Sequence, residues 1–258
     1  MPSEIFSVPQ AVQLGQFVLA AYDLFAAGDP GDFAPPAGYR LVSKVYADDI
    51  TDDTVEFKVF GFIAQRDSDV VVAIRGTDGV LEWMKDFEFE FVRFPFVDAG
   101  SVEAGFSGFY STFRTDRNNT APRVFDALAK LIAGGAVKTL RIAGHSLGSA
   151  LATLLAIDVA ANSDFTTPIV YTFASPRVGD KVFAGTYDGL IETSWRIANV
   201  NDIVPQLPPQ FVGYVHVDAE YPINSDDRCR HNFNCWHSLE TYLNTLDASV
   251  ALDSACVP

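Results

Sequence analysis

The stretch RIAGHSLGSALATLLA, residues 141–156, decides how this chain is read. An apolar run ends in Gly144-His145-Ser146-Leu147-Gly148, and a helix-period pattern rich in small apolar residues begins at once. Gly-x-Ser-x-Gly between a strand and a helix is the pattern of a nucleophile elbow. The tight bend strains the serine backbone and lifts the hydroxyl above the sheet edge, and a Cβ on either glycine would meet the neighbouring strand or helix. The apolar TLRIA (139–143) before the bend and ALATLLAIDVAA (150–161) after it give the pentapeptide its context. A plain strand-to-helix turn with an incidental serine is the competing reading. Ser146 is thus the candidate nucleophile, and Leu147, opening the helix, offers a free amide to a developing oxyanion.

Working outward, strands and helices alternate on both sides. VPQAVQLGQFVLAAYDLFAAG (8–28) has apolar residues at helical spacing, and the Pro/Gly-rich segment to residue 38 reads as a loop. YRLVSKVYAD (39–48) and VEFKVFGFIAQRD (55–67) read as adjacent strands of a hairpin. Val70 to Ile74 is a short, wholly apolar strand, suited to a sheet covered on both faces. TAPRVFDALAKLIAGG (120–135) reads as a helix, with Thr120 as its cap, Pro122 near its first turn and Gly134 at its end. VKTLRIAG, PIVYTFAS and SWRIANV read as further strands. The pattern predicts one α/β domain over residues 1–258, a mostly parallel central sheet with helices on both faces. In such sheets the sites lie beyond the carboxyl ends of the strands.

The 258 residues carry 48% hydrophobic and 20% charged side chains, a globular composition, and a formal net charge of −15. That charge argues against nucleic-acid binding and weakens attraction to anionic membranes. No apolar run reaches the length of a transmembrane helix. MPSEIFSVPQ has Glu4 where a leader would be basic, so the chain is expected to be secreted if a leader has been removed and otherwise cytoplasmic. Cys229 and Cys235 are close enough in sequence to pair, leaving Cys256 over, and three cysteines allow one internal bridge at most. A metal at Cys229, His231 and Cys235 would be unusual, because zinc spacings are tighter and paired; none is expected. Composition does not set the oligomeric state.

A serine needs a base, and the base an orienting acid; on this fold the chain order is Ser, Asp or Glu, then His. The four histidines separate by position. His145 sits inside the elbow and reads as a packing residue. His216 lies in the alternation FVGYVHVDAEYPI and reads as a satisfied sheet histidine, and His231 reads as solvated. His237, directly before the helical SLETYLNTLDASV, stands where a mobile base belongs. Asp202 follows the strand SWRIANV and precedes a proline-fixed loop; Asp180 in SPRVGD is its main rival. Asp158 and Asp164, on the elbow helix and its exit, read as solvated, and Asp218 and Asp226 fall past the last clear strand. Thr77, after the buried strand in IRGTDG, offers an amide and a hydroxyl as a second oxyanion donor, although a structural turn explains Gly76 and Thr77 equally well.

VVVAIRGTDGVLEWMKD, RIAGHSLGSALATLLA, FASPRVGD, NVNDIVPQLPP and WHSLETYL together resemble the class three, fungal-type triacylglycerol lipases, in the family's order from about residue 70 to 245. The resemblance implies an α/β-hydrolase fold with Ser146 as nucleophile, Asp202 rather than Asp180 as acid and His237 as base. It implies Thr77 and Leu147 as oxyanion donors. Trp83 and Asp86 match residues of the family's lid segment, here about 78–95. Val80, Leu81, Trp83 and Met84 would be the apolar, substrate-facing members of a short lid helix, or of an ordinary core helix with Trp83 buried, and Phe87, Phe89, Phe91, Phe94 and Phe96 an acyl-binding wall or simple packing. Glu103 departs from the family, which commonly places histidine there, and leaves lid and pocket detail open. The implied activity is a lipase cleaving acylglycerol esters at a lipid–water interface without cofactor or metal. Alternatives on the same fold are a phospholipase A1, a feruloyl-type esterase, or a catalytically silent lipid-binding protein.

Overall fold

The computed structural model describes residues 5–51, 54–77, 89–114, 123–217 and 219–258. The expected lid members Val80, Leu81, Trp83 and Met84, together with Asp86, Phe87, Thr120, Pro122 and Asp218, lie outside the described residues.

The strand read as wholly apolar, Val70–Ile74, lies inside the sheet, between an antiparallel and a parallel neighbour. β1 (Arg40–Thr51), β2 (Thr54–Arg66) and β3 (Asp69–Ile74) form an antiparallel meander, and β6 (Thr139–His145) joins β3 in parallel. β7 (Ile169–Phe173), β8 (Thr193–Asn199) and β9 (Glu220–Ile223) continue the parallel half, giving among the described residues seven strands in the order β1-β2-β3-β6-β7-β8-β9. Two short strands, β4 (Phe91–Arg93) and β5 (Ser101–Glu103), form a separate antiparallel ribbon.

Burial on both faces explains why β3 is apolar at every position from Val70 to Ile74. Val70, Val72 and Ile74 pack into one core, whereas Val71 and Ala73 between them pack into another. The first core lies under α2 (Ala104–Arg114), α3 (Val124–Ala133), α4 (Leu147–Asn162) and α5 (Lys181–Leu190). The second lies under α1 (Val8–Ala26) and α7 (Leu239–Leu246). Helix α4 is buried continuously from Leu147 to Ala160, which is why small and apolar residues occur on every face of it. Asp158 on that helix, expected to be solvated, is fully buried instead. It accepts hydrogen bonds from the Tyr110 hydroxyl at 2.5 Å and the Arg114 guanidinium at 2.9 Å, partners whose arrival from α2 the local pattern does not announce.

The alternating segment 211–223 is not one strand. Residues 210–212 form a 3-10 turn, Gly213 takes φ +100°, and only Glu220–Ile223 joins the sheet. A residue with positive φ interrupts an extended run, so the alternation is broken at Gly213. The phenylalanines proposed as an acyl wall divide: Phe94 is core, packed with Phe96, Tyr110 and Phe183, whereas Phe91 is exposed on one side and stacks on Tyr214.

The cysteine pairing also differs from the nearest-neighbour expectation. Cys235 is bonded to Cys256, and Cys229 is a buried free thiol beside them. The chain end returns to this point, with the Arg230 amide donating to the Cys256 carbonyl, and sequence spacing does not reveal that return. Closing a loop with sequence separation 21 is worth about 3 kcal/mol in the chain-entropy account. Cys256→Ser is therefore expected to lower the unfolding free energy by about that amount in urea titrations. A midpoint unmoved by this change would contradict the pairing.

Candidate active site

The elbow is built by close approach. Ser146, the last residue before α4, takes φ +57° and ψ −127°, a backbone region disfavoured for a side-chain-bearing residue. A Cβ on Gly144 would come within 2.1 Å of the Gly148 carbonyl oxygen, and one on Gly148 within 2.4 Å of the Ile74 and Arg75 carbonyls. Only glycine at both positions lets the helix start press against the ends of β6 and β3. The Ser146 amide donates to the Phe173 carbonyl on β7 (2.9 Å), and the Ser149 hydroxyl reaches the Gly144 and Phe173 carbonyls (2.7 and 2.8 Å). Leu147 opens α4, so its amide has no acceptor within the helix.

Three side chains remote in sequence meet here. Ser146 Oγ lies 2.9 Å from His237 Nε2, and His237 Nδ1 lies 2.7 Å from Asp202 Oδ2. A carboxylate can only accept, so Nδ1 carries the proton and Nε2 presents its lone pair to the serine hydroxyl. Asp202 follows β8 at its carboxyl end, and His237 is the last residue of the short helix α6 (Phe233–His237). All three are buried, Ser146 completely. Asp202 is held by two further donors: the Val204 amide to Oδ1 (3.0 Å) and the Tyr242 hydroxyl to Oδ2 (2.8 Å). Tyr242 in turn accepts the Asn199 amide at 3.1 Å. Its hydroxyl stays protonated because burial, then the Asp202 charge, push its pKa well above the usual phenol value.

Thr77 follows Gly76 at the end of β3, beside the elbow. A Cβ on Gly76 would stand 2.9 Å from Ser146 Cβ and 2.7 Å from the Tyr22 hydroxyl. Gly76 is therefore wedged between Ser146 and Tyr22 of α1.

Asp180, the rival acid, is engaged elsewhere: it caps α5 through the Phe183 amide (2.8 Å) and also accepts the Ser101 amide (3.0 Å). Glu103, at the position where the family commonly has histidine, is buried and caps α2 through the Phe106 amide at 2.8 Å; burial raises its pKa. His231 is exposed, with Nε2 donating to the Asp226 carbonyl at 2.7 Å. His216 lies in the loop before β9 rather than in the sheet, donating to the Pro205 carbonyl at 2.7 Å. His145 does more than pack: its Nδ1 faces the Tyr22 hydroxyl and its Nε2 the His237 carbonyl, both at 2.8 Å. Tyr22 and Tyr242 escaped the sequence reading altogether. Among the described residues no cluster of His, Cys, Asp and Glu has the makings of a metal site.

Burial pulls the His216 pKa down to about 3 and that of His145 well below its ordinary value. Both are neutral in the folded state. As pH falls below about 6.5 the unfolded chain takes up protons that these two sites refuse, so both withdraw stability progressively toward acid pH. Buried Glu103 and Asp158, with raised values, act in the opposite sense. Imidazole NMR separates the contributions: the ring signals of His145 and His216 are expected to stay fixed from about pH 8 to pH 5, where an ordinary histidine titrates. Movement of either signal in that window would contradict the burial argument.

Residues 71–212 match the family model described as Lipase (class 3). The chain is 33% identical over 201 residues to phospholipase A1-IIgamma of Arabidopsis thaliana, covering 68% of this chain and 48% of that protein. It is 34% identical over 186 residues to secreted mono- and diacylglycerol lipase A of Penicillium camembertii, covering 71% of this chain and 56% of that protein. The chain thus spans about half the length of the curated relatives it matches. Among solved structures, a mutant form of MDLA from Penicillium cyclopium superposes with TM-score 0.66 at 27% identity, covering 85% of this chain and 82% of that one. Lipase II from Rhizopus niveus, at 23% identity, shares the fold with TM-score 0.67 over 84% of this chain and 80% of its own. The mostly parallel sheet, its two helical layers and these neighbours identify an α/β-hydrolase fold. By its family match and its architecture together, the chain belongs to the class 3 lipases.

Proposed function

We propose that this chain is a serine carboxylic-ester hydrolase that cleaves acylglycerol esters through an acyl-enzyme. The observation that carries the reading is the Ser146–His237–Asp202 line: a hydroxyl on a strained bend, 2.9 Å from an imidazole whose other nitrogen is held at 2.7 Å by a buried carboxylate. His237 Nε2 takes the Ser146 proton as Oγ attacks the ester carbonyl. The carbonyl oxygen, now negative, is received by the amides of Thr77 and Leu147. His237 returns the proton to the departing alcohol, and water then frees the fatty acid by the same two transfers. Asp202 fixes the imidazole tautomer and stabilises its charged form.

The partner is an uncharged lipid–water interface. Ile203 and Val212 are exposed and Phe211 is 89% exposed, all on the loop that leaves β8 directly after Asp202. Phe91 stands beside Gly213 at the end of that loop, with its ring 4.1 Å from that of Tyr214. A net charge of −15 disfavours anionic surfaces, so neutral or zwitterionic lipid is the better match. The Cys235–Cys256 bridge favours an oxidising compartment, and hence secretion.

Initial rates on emulsified mono-, di- and triacylglycerols, phosphatidylcholine vesicles and a feruloyl ester test the substrate class. Acylglycerols are expected to be cleaved fastest. A preference for phosphatidylcholine would reassign the chain as a phospholipase A1, a reading favoured by the Arabidopsis relative's name.

A further inference from the structure

A chain of hydrogen bonds beneath the reacting groups is left unused by the mechanism above. The Gly76 amide donates to the Tyr22 hydroxyl at 2.8 Å, Tyr22 lies 2.8 Å from His145 Nδ1, and His145 Nε2 lies 2.8 Å from the His237 carbonyl oxygen. The direction of every link follows from the groups themselves. A carbonyl can only accept, so His145 Nε2 carries the proton. The neutral ring then has a bare Nδ1, which must accept from Tyr22, whose oxygen receives the Gly76 amide. Burial holds His145 neutral, which keeps this polarity fixed.

We propose that Tyr22 and His145 are positioning residues, holding the Gly76 amide, one residue before Thr77, and the His237 main chain in register with Ser146. The inference rests on the hydrolase reading above. Its ends are the two places where drift harms acyl transfer most. One is the strand end that precedes the Thr77 donor and packs against Ser146 Cβ. The other is the backbone of the residue that must reach Ser146 Oγ. Between them, His145 is chained to Ser146 by a peptide bond, so one neutral side chain ties nucleophile, base and oxyanion strand to helix α1. His145 itself has no role as a base, since both of its ring nitrogens are committed.

Neutrality matters as well as geometry. The His145 and His237 rings lie 4.8 Å apart between centroids, inclined at 42°. A cationic side chain at position 145 would oppose the imidazolium that His237 must become. A neutral donor serves where a lysine or arginine would not. Sequence spacing hides the arrangement, because Tyr22 and His145 are 123 residues apart.

Tyr22→Phe keeps the ring and removes two of the three links, those to the Gly76 amide and to His145. Because a misplacement of about 1 Å costs roughly 10²-fold, kcat on the soluble ester p-nitrophenyl butyrate is expected to fall about 10- to 100-fold. KM is expected to hold within about twofold, as for an interaction that acts in the transition state alone. Phosphonylation by a fluorophosphonate is expected to slow in parallel, with the chain still folded. His145→Gln, neutral and still able to offer an N–H to the His237 carbonyl, is expected to retain more kcat than His145→Leu. A Tyr22→Phe chain whose kcat stays within about twofold of the parent overturns the inference, as does one that loses melting temperature alone. A parent chain that neither hydrolyses the ester nor takes the label overturns the hydrolase reading itself, and this inference with it.

Discussion

Ser146→Ala is expected to lower kcat for ester hydrolysis by a factor on the order of 10⁵–10⁶, the loss seen when a nucleophile of this kind is deleted. The reason is local. Ser146 supplies the oxygen that forms the acyl-enzyme, and its hydroxyl is 2.9 Å from the one imidazole lone pair aimed at it. Alanine keeps the Cβ, so the strained φ of +57° is neither relieved nor worsened. What changes is the partner left behind: the buried His237 Nε2 loses its donor, at a cost of about 1–3 kcal/mol. The variant should therefore stay folded, with a modestly shifted melting temperature, and show almost no turnover. Stopped-assay rates on p-nitrophenyl esters alongside a thermal melt measure both quantities. A variant that keeps a tenth of the parent rate would remove Ser146 from the mechanism.

Asp202→Asn is the second large effect, expected to cost about 10⁴-fold in kcat. Three donors converge on this carboxylate: His237 Nδ1–H and the Tyr242 hydroxyl on Oδ2, and the Val204 amide on Oδ1. An amide cannot accept at both ends. With its NH₂ toward Val204, two donors face each other across a buried contact. With its NH₂ toward His237, the imidazole must shift its proton to Nε2 and present an N–H to Ser146, the wrong tautomer for a base. Tyr242 must then turn its proton as well. Unlike loss of Ser146, this change should also disturb a network of several buried donors, at about 1–3 kcal/mol for each one left unsatisfied. Near-parental kcat in the Asp202→Asn variant would show that the acid lies elsewhere, and Asp180 is too committed to α5 and Ser101 to replace it.

The parts of this fold that were legible are those whose cause is local. The two elbow glycines announce themselves because the bend admits no Cβ, and Val70–Ile74 reads as a doubly covered strand because both faces are filled. The order of strands and helices follows from period and punctuation. Asp202 and His237 were legible as strand-end and loop-mouth residues, ranked above Asp180 and the other histidines by resemblance to a family. What stayed hidden depends on distant segments meeting. Tyr22 and Tyr242 sit on ordinary amphipathic helices, and nothing within a helical turn shows that each hydroxyl bridges a strand-end amide to a site residue. Asp158 reads as a solvated helix residue until Tyr110 and Arg114 arrive from α2. The cysteine pairing followed the return of the chain end and not the shortest spacing.

The central claim is that one serine out of many is made nucleophilic by its setting. Reaction of the intact chain with a fluorophosphonate, followed by peptide mapping, tests that claim most directly. The account predicts a single phosphonyl group on Ser146, its attachment abolished by prior His237→Ala. A label on another residue, or a folded chain that takes none, would contradict it.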